Sequence, residues 1–181
     1  MAKVMKSIAL CTSLLSLLLA FLYLHFRAAL FYSLAISCGT IAYHFCMRLL
    51  VGYLLLKVPE GWLSRKRKCF QPLPFEEALY KRLRVSSWKD KMPSYAPENF
   101  SLQKHSLEEL AREMCRAELV HLCIIPLSFL PLLAALEFGS FWVFASTSLL
   151  SAGFDLLFVI LQRYNRPRLL RILQKKQARS A

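Results

Sequence analysis

The chain has 181 residues, of which 56% are hydrophobic, and it carries a formal net charge of +13. A soluble domain of this length would contain fewer apolar residues, and here they fall in long blocks. The composition therefore predicts an all-α integral membrane protein and excludes an ordinary soluble domain. Basic residues cluster beside the apolar runs. This suits an anionic membrane surface better than nucleic acid, because no nucleic-acid recognition motif accompanies the charge.

The first apolar run covers residues 7–26 and follows two lysines, Lys3 and Lys6. It is long enough to span a bilayer. A cleavable signal peptide is the alternative, but no A-x-A-like cleavage site follows the run. We predict that residues 1–27 form an uncleaved transmembrane anchor and that residues 28–181 form a single membrane domain.

The second run covers residues 28–56 and is interrupted only by His44 and Arg48, which lie four residues apart on one helix face. Arg48 lies about two helical turns from Lys57. We therefore expect it to extend to the membrane surface, with a role inside the helix bundle as the alternative.

Residues 57–118 form a hydrophilic segment with 13 Lys and Arg and 9 acidic residues. The spacing of Phe75, Leu79 and Leu83 predicts a short amphipathic helix within it. The segment from Trp88 to Pro93 is predicted to be a loop, in which Trp88 and its neighbouring lysines contact the membrane interface.

The third and fourth spans are predicted at residues 119–136 and 140–161. A capping box from Ser106 to Glu109 should begin a helix ahead of the third span, and Pro126 and Pro131 should kink that span.

The short turn at residues 137–140 contains no Lys or Arg, whereas residues 163–181 contain seven and no acid. We therefore predict four spans in a cell membrane, with the basic tail, residues 57–118 and both termini in the cytoplasm.

Glu118 and His121 stand where the third span begins, three residues apart on one helix face. A carboxylate beside a histidine is a common way to orient a general base. We predict His121 as the base and Glu118 as its orienting partner. The alternative is an ion-paired helix terminus that joins Arg116 to Glu118 and His121.

The run Gln162-Arg163-Tyr164-Asn165-Arg166 follows the fourth span and is predicted to stop at Pro167. An antiparallel hairpin of spans three and four would bring this run to the same interface as His121. Guanidinium forks and amides suit a ligand that carries phosphates or hydroxyls. The alternative is a set of headgroup anchors.

Asp155 lies within the fourth span, seven residues before Gln162 and eleven before Arg166. These spacings are close to whole numbers of turns, so the three side chains should share one helix face. A carboxylate inside a membrane indicates a functional site. Asp155 is thus a second candidate for the proton acceptor, and a structural pair with His44 or Arg48 is the equal alternative.

Six cysteines contain no C-x-x-C pair, so neither a metal site nor a disulfide framework is predicted. The chain also lacks the short motifs of serine hydrolases, metalloproteases and nucleotide-binding enzymes, and no cofactor is predicted.

Three motifs resemble a known family: Trp88-Lys89-Asp90-Lys91-Met92-Pro93, Arg116-Ala117-Glu118-Leu119-Val120-His121, and the run from Gln162 to Leu169. In this order and spacing they are similar to the glycosyl-4,4'-diaponeurosporenoate acyltransferases. These are bacterial membrane enzymes that esterify a sugar hydroxyl of a glycosylated carotenoid with a fatty acyl chain, in the synthesis of staphyloxanthin-type pigments. The likeness begins near Val58 and extends into the tail.

Two departures from the family pattern limit what the resemblance implies. The first span looks like an N-terminal addition, and Asp155 stands where the family pattern leads us to expect an uncharged polar residue such as Asn. The resemblance implies O-acyl transfer to a lipid-linked hydroxyl more strongly than it implies a carotenoid acceptor.

Two hypotheses follow. In the first, the chain is a membrane acyltransferase that takes its acyl group from acyl-CoA or acyl-carrier protein. In the second, it is a non-catalytic adaptor whose basic loop and tail hold anionic lipid or a partner enzyme. Under the first hypothesis, His121 and Glu118 are assigned to catalysis, with Asp155 as the second candidate base. Arg163 and Arg166, with Arg116 nearby, are assigned to the donor. Gln162, Tyr164 and Asn165 are assigned to hydroxyls of the acceptor, and Trp88 and Lys89 are expected to close the site.

Overall fold

The computed structural model describes residues 2–63, 67–93, 97–101 and 103–180. Within these ranges the chain forms helices and no strand. The α-helices are α1 (Ala2–Phe26), α2 (Ala29–Leu56), α3 (Glu76–Arg82), α4 (Val85–Trp88), α5 (Leu107–Leu127), α6 (Pro131–Phe138) and α7 (Phe141–Ser180). Short 3₁₀ turns lie at Glu60–Leu63, Lys68–Phe70, Lys89–Lys91 and Pro97–Phe100.

Four helical segments are long and apolar enough to cross a membrane: Ala2–Phe26, Ala29–Leu56, Leu107–Phe138 and Phe141–Arg179. This confirms the predicted all-helical class and the number of candidate spans. The third segment consists of α5 and α6, which are separated by a turn at the predicted prolines. Pro131 begins α6 and has no N–H to donate to the Leu127 carbonyl. The Leu130 N–H, at 3.2 Å, and the Tyr43 hydroxyl, at 2.8 Å, donate to that carbonyl instead.

Two local predictions are wrong. Helix α7 does not stop at Pro167 but continues through it to Ser180. A proline removes one backbone donor, and the residues that follow it are mainly Leu, Arg, Gln and Lys, which favour helix. The segment from Trp88 to Pro93 is not a simple loop, because α4 ends at Trp88 and a 3₁₀ turn covers Lys89–Lys91.

Two other local predictions concern the starts of helices. A short helix forms where it was predicted, as α3, which begins just after Phe75, but an apolar buried face is not confirmed, because Phe75 and Leu83 are exposed and Glu76 is buried. The capping box forms in full, because the Ser106 N–H donates to Glu109 Oε2 at 2.7 Å and the Glu109 N–H donates to Ser106 Oγ at 3.2 Å. The predicted hydrophilic segment 57–118 also includes residues 64–66, 94–96 and 102, which lie outside the described residues.

The chain divides into two compact units. The first unit comprises Met1–Tyr53 and Cys123–Asp155. Within it, α1 packs closely on α2, where the Ser16 hydroxyl donates to the Ala35 carbonyl at 2.9 Å. The link from α6 to α7 turns at Gly139, whose φ of 67° lies in the left-handed region that glycine adopts readily.

The second unit comprises Leu54–Leu122 and Leu156–Ala181. Its apolar core contains Leu63, Phe70 and Cys115, with Leu119 packed against them. This core fixes the 3₁₀ turn at Lys68–Phe70 beside α5, so that the backbone carbonyls of this turn are held at a defined position. The candidate active site is built around those carbonyls.

Candidate active site

Arg163 on α7 has a protein acceptor for every nitrogen of its guanidinium. Its Nε donates to Glu76 Oε1 at 2.6 Å, and Nη2 lies 2.5 Å from the same oxygen. Nη2 also donates to the Gln71 carbonyl at 2.8 Å. Nη1 donates to the Cys69 carbonyl at 2.9 Å and to Glu118 Oε1 at 2.6 Å. Arg163 therefore joins α3, α5 and the turn at 68–71 through a single side chain.

Glu118 on α5 is fully buried, and each of its carboxylate oxygens accepts from a different arginine. Oε1 accepts from Arg163 and Oε2 from Nη1 of Arg166. Arg166 is also buried, and its Nη2 donates to the Phe70 carbonyl at 2.5 Å. A buried charge is tolerated when it is paired and hydrogen-bonded, and this carboxylate meets both conditions.

The predicted partnership of Glu118 with His121 is untested by these contacts and stays a prediction. The His121 ring stacks on the ring of Phe158, with centroids 4.6 Å apart and an angle of 8° between the planes. Stacking occupies a face of the imidazole and leaves its nitrogens at the edge, where a proton can be exchanged. His121 is half-buried.

Glu76 and Tyr80 belong to the same network and were missed by sequence reasoning. Glu76 is buried at the start of α3, where its Oε1 accepts from Arg163 and its Oε2 accepts from the Tyr80 hydroxyl at 2.8 Å. Burial and the hydrogen bond to Glu76 raise the pKa of Tyr80. One feature of the sequence could have identified Glu76. The closely spaced arginines of α7 need acidic partners, and Glu76 is one of few acidic residues in the segment before α5.

The network of Arg163, Arg166, Glu76 and Glu118 contains two cations and two anions, so its formal charge is balanced. All four side chains are largely buried. A balanced, hydrogen-bonded cluster fixes geometry and attracts a further anion weakly. These contacts support a positioning role for Arg163, and the donor-binding role predicted for it stays a prediction.

The other polar residues of the α7 run differ in their surroundings. Tyr164 is buried, with its ring edge-on to Tyr80 at 5.3 Å and the Arg168 guanidinium over its face at 3.5 Å from the ring centre. Gln162 is also buried, and Asn165 is half-buried. The structure thus gives Tyr164 a packing role, while the predicted hydroxyl-binding roles of all three are untested.

Trp88, Lys89 and Arg116 make local polar contacts. The Trp88 indole donates to the Leu83 carbonyl at 3.0 Å, and Lys89 pairs with Asp90 at 2.6 Å. Arg116 pairs with Glu113 at 2.7 Å and not with Glu118 as the ion-pair alternative supposed, and its Nε is buried with no acceptor among the described residues. The predicted closing role of Trp88 and Lys89 remains a prediction.

Asp155 lies in the first unit, where it pairs with Arg48 at 2.5 Å. Arg48 also donates to Ser151 Oγ at 2.8 Å, and that hydroxyl bonds to the Ser128 hydroxyl at 2.9 Å. The expectation that Arg48 extends to the membrane surface is therefore wrong, because a buried carboxylate and hydroxyl provide its partners. The structural alternative for Asp155 has a concrete partner, and a catalytic role stays a prediction.

A cavity of about 420 Å³ adjoins the network in the second unit. Arg166 contributes to its wall, together with residues 70–72 and the next turns of α7. The first unit contains a separate apolar cavity of about 590 Å³, lined mainly by α1, α2 and α6.

Arg163, Arg166, Glu76 and Glu118, together with Tyr80, thus form one connected polar site against the turn at 68–71. Residues 66–175, more than half of the chain, match the family model described as glycosyl-4,4'-diaponeurosporenoate acyltransferase. This match begins later than the likeness expected from Val58. No curated protein and no solved structure matches the chain. The chain belongs to the glycosyl-4,4'-diaponeurosporenoate acyltransferase family.

Proposed function

We propose that the protein is a membrane acyltransferase that esterifies a hydroxyl of a lipid-linked acceptor with a fatty acyl chain. The observation that carries this proposal is the family match, which includes every residue of the Arg163–Glu118–Arg166 network. The acceptor class comprises glycosylated carotenoids or isoprenoids and glycolipids, which share a sugar hydroxyl on an apolar chain.

The proposed reaction uses His121 as the general base. The acceptor hydroxyl gives its proton to a ring nitrogen of His121 as its oxygen attacks the carbonyl carbon of an acyl thioester. The new C–O bond forms, the C–S bond breaks, and the leaving thiolate takes the proton from the imidazolium. Stacking on Phe158 supports this role, because it restricts the orientation of the ring that must accept the proton.

The arginine–carboxylate network would hold the site in place. Arg163 ties α3, α5 and the turn at 68–71 together, and Glu118 on α5 stands one turn before His121. A shift of α5 would therefore move His121 as well. In this proposal Glu118 acts on His121 by fixing the position of α5, in addition to the direct pairing predicted from the sequence.

The remaining predicted residues have secondary roles in the proposal. Gln162 and Asn165 supply amide groups for acceptor hydroxyls, and Trp88 and Lys89 close the site. Asp155 remains the second candidate for the base, and its ion pair with Arg48 favours a structural role instead.

A non-catalytic adaptor is less well supported than an enzyme. An adaptor that holds anionic lipid needs positive charge at its surface, and this requires no particular geometry. In the described residues, Arg163 instead directs its planar fork at two carboxylates and two backbone carbonyls. Such geometry is specific to arginine.

The experiment is lipid profiling of a host that expresses the protein, with His121→Ala and His121→Gln as test variants. Product is measured per unit of membrane-inserted protein. We expect the rate of product formation of both variants to be lower by a factor of roughly 10²–10⁴, because neither side chain takes up a proton at neutral pH. His105→Gln is the matched control, since the His105 imidazole lies 3.8 Å from Glu109 of the capping box and takes no part in the arginine–carboxylate network.

Near-normal product formation by His121→Gln would remove His121 from the catalytic role. Absence of any acyl ester that depends on the wild-type protein, across glycolipids and carotenoids, would contradict the proposed function itself and favour the adaptor.

A further inference from the structure

The cavity beside the network has the size of a small-molecule site. Its volume of about 420 Å³ falls within the roughly 300–1,000 Å³ typical of ligand pockets. One wall is formed by Phe70, the last residue of the 3₁₀ turn, and by Gln71 and Pro72, which follow it. The other wall is formed by residues of α7 between Arg166 and Gln174.

The two arginines that line this cavity differ from Arg163, because each has N–H groups that a ligand could bind. Arg166 uses Nη1 and Nη2 in its bonds to Glu118 and Phe70, and among the described residues no group accepts a hydrogen bond from its Nε. Arg171 is exposed and stands five residues later on the same helix. Glu118 balances the charge of Arg166, so Arg171 supplies the net positive charge of the cavity.

The rest of the lining fits a polar anion joined to a less polar arm. Gln71 and Gln174 add amide groups, and the described lining residues include no carboxylate. Phe70 and Leu170 add apolar surface. Guanidinium forks recognise anions with several oxygens, above all phosphates, through paired charge-assisted hydrogen bonds.

We propose that this cavity binds the phosphate of the phosphopantetheine arm that carries the acyl group, with Arg171 as its principal cation and Arg166 as its second. This inference rests on the proposed function, since acyl transfer requires an activated donor. Free coenzyme A and acyl-carrier protein both present this arm.

The binding test uses purified full-length protein in nanodiscs of uncharged lipid. The probes are coenzyme A, 4'-phosphopantetheine and pantetheine, which lacks the phosphate, with affinity measured by calorimetry. We expect the first two to bind and pantetheine to bind roughly tenfold more weakly or worse, the factor for one lost charge-assisted hydrogen bond. Arg171→Gln should weaken 4'-phosphopantetheine by a similar factor.

Arg179→Gln is the matched control, because Arg179 is an exposed arginine of the same helix that does not line the cavity. Equal affinities of the Arg171→Gln and Arg179→Gln proteins would overturn the proposal. Equal affinities for pantetheine and 4'-phosphopantetheine would also overturn it. If anionic lipid in the nanodisc abolishes binding of 4'-phosphopantetheine through Arg171, the cavity is a lipid headgroup site and the proposal is again overturned.

Kinetics separate the two sources of the arm and separate this inference from the proposed function. Arg171→Gln should raise KM for the thioester donor roughly tenfold while leaving KM for the acceptor unchanged. Both the coenzyme A thioester and the acyl-carrier protein thioester are tested, and the natural donor is the one whose KM rises in the Arg171→Gln protein. Phosphate-dependent binding without any acyl transfer would contradict the proposed function but not this binding site. Acyl transfer with an unaltered donor KM would contradict the binding site but not the proposed function.

Discussion

Arg163 shows how much one side chain can organise in this protein. It lies on α7, yet its guanidinium reaches Glu76 on α3, Glu118 on α5 and two backbone carbonyls of the turn at 68–71. Buried ion pairs of this kind add little net stability compared with apolar packing. Removal of one partner, however, leaves the other charges buried and unpaired, which is strongly destabilising. The network therefore specifies an arrangement and makes it sensitive to substitution.

Arg163→Lys tests that dependence on geometry. A lysine keeps the charge, but its single ammonium cannot serve both carboxylates and the carbonyls of Cys69 and Gln71 at once. We expect a loss of about 3–5 kcal/mol in stability, the usual cost of breaking a buried pair. It is measured as a lower thermal midpoint in detergent. Arg179→Lys, on the exposed end of α7, should leave the midpoint unchanged.

An equal midpoint for the two lysine variants would show that charge alone suffices at position 163. That result would remove the main structural argument against a non-catalytic adaptor.

Arg48 and Asp155 allow a residue-scale test of structural against catalytic roles. Asp155→Leu leaves Arg48 buried without its carboxylate and should lower the amount of folded protein. The double variant Arg48→Met with Asp155→Leu replaces the pair by apolar side chains and should recover that amount. Product per unit of folded protein should then be close to the wild-type value. Full recovery of folded protein without product would make Asp155 the proton acceptor.

At the scale of elements, short sequence patterns predicted the features that depend only on neighbouring residues, namely the long helices and a helix cap. The apolar runs predicted the four long helices, and the Ser106–Glu109 spacing predicted a capping box that forms with both of its hydrogen bonds. The path of α7 through Pro167 was not predictable in the same way. A proline lowers helix propensity locally, but Arg163 and Arg166 hold this helix in the turn just before it, and Leu173 is buried in the part that follows.

The partners of the α7 arginines were hidden from sequence reasoning for a related reason. Glu76 lies far from Arg163 along the chain, and the carbonyls of Cys69, Phe70 and Gln71 have no residue signature at all. Backbone acceptors become visible only when a turn places them. The sequence motifs thus identified the right stretches of chain, while the contacts that define the site depend on the fold.

The packing of α1 on α2 gives an element-scale prediction. A Cβ on Gly39 would lie 3.1 Å from Ser16 Oγ of α1, whereas a Cβ on Gly52 would meet nothing within 4 Å. Gly39→Leu should therefore separate the two helices, at a cost of about 1–3 kcal/mol for overpacking. Gly52→Leu should be neutral or stabilising, because leucine favours helix by up to about 1 kcal/mol over glycine.

Thermal midpoints of the two leucine variants check this, with Gly39→Ala as the intermediate case. Similar midpoints for Gly39→Leu and Gly52→Leu would mean that α1 does not pack on α2 through this contact.

At the scale of the whole molecule, the distribution of charge sets the orientation that we propose. The turn at 137–140 has no Lys or Arg, whereas residues 163–181 carry seven and residues 57–118 carry 13. Basic loops stay on the cytoplasmic side of a cell membrane. Since Glu76, Glu118 and Arg163 bond to one another, residues of the hydrophilic segment and of α7 must lie on the same side.

Cysteine labelling of intact cells tests this orientation. In a variant without the six native cysteines, a single cysteine at position 138 should react with a membrane-impermeant maleimide added outside. Cysteines at positions 90 and 175 should react only after the membrane is opened. The reverse pattern would contradict the topology and much of the proposed chemistry, because coenzyme A and acyl-carrier protein thioesters are cytoplasmic and could not reach Arg171 or His121 from inside the cell. An external site would require a donor drawn from the membrane itself.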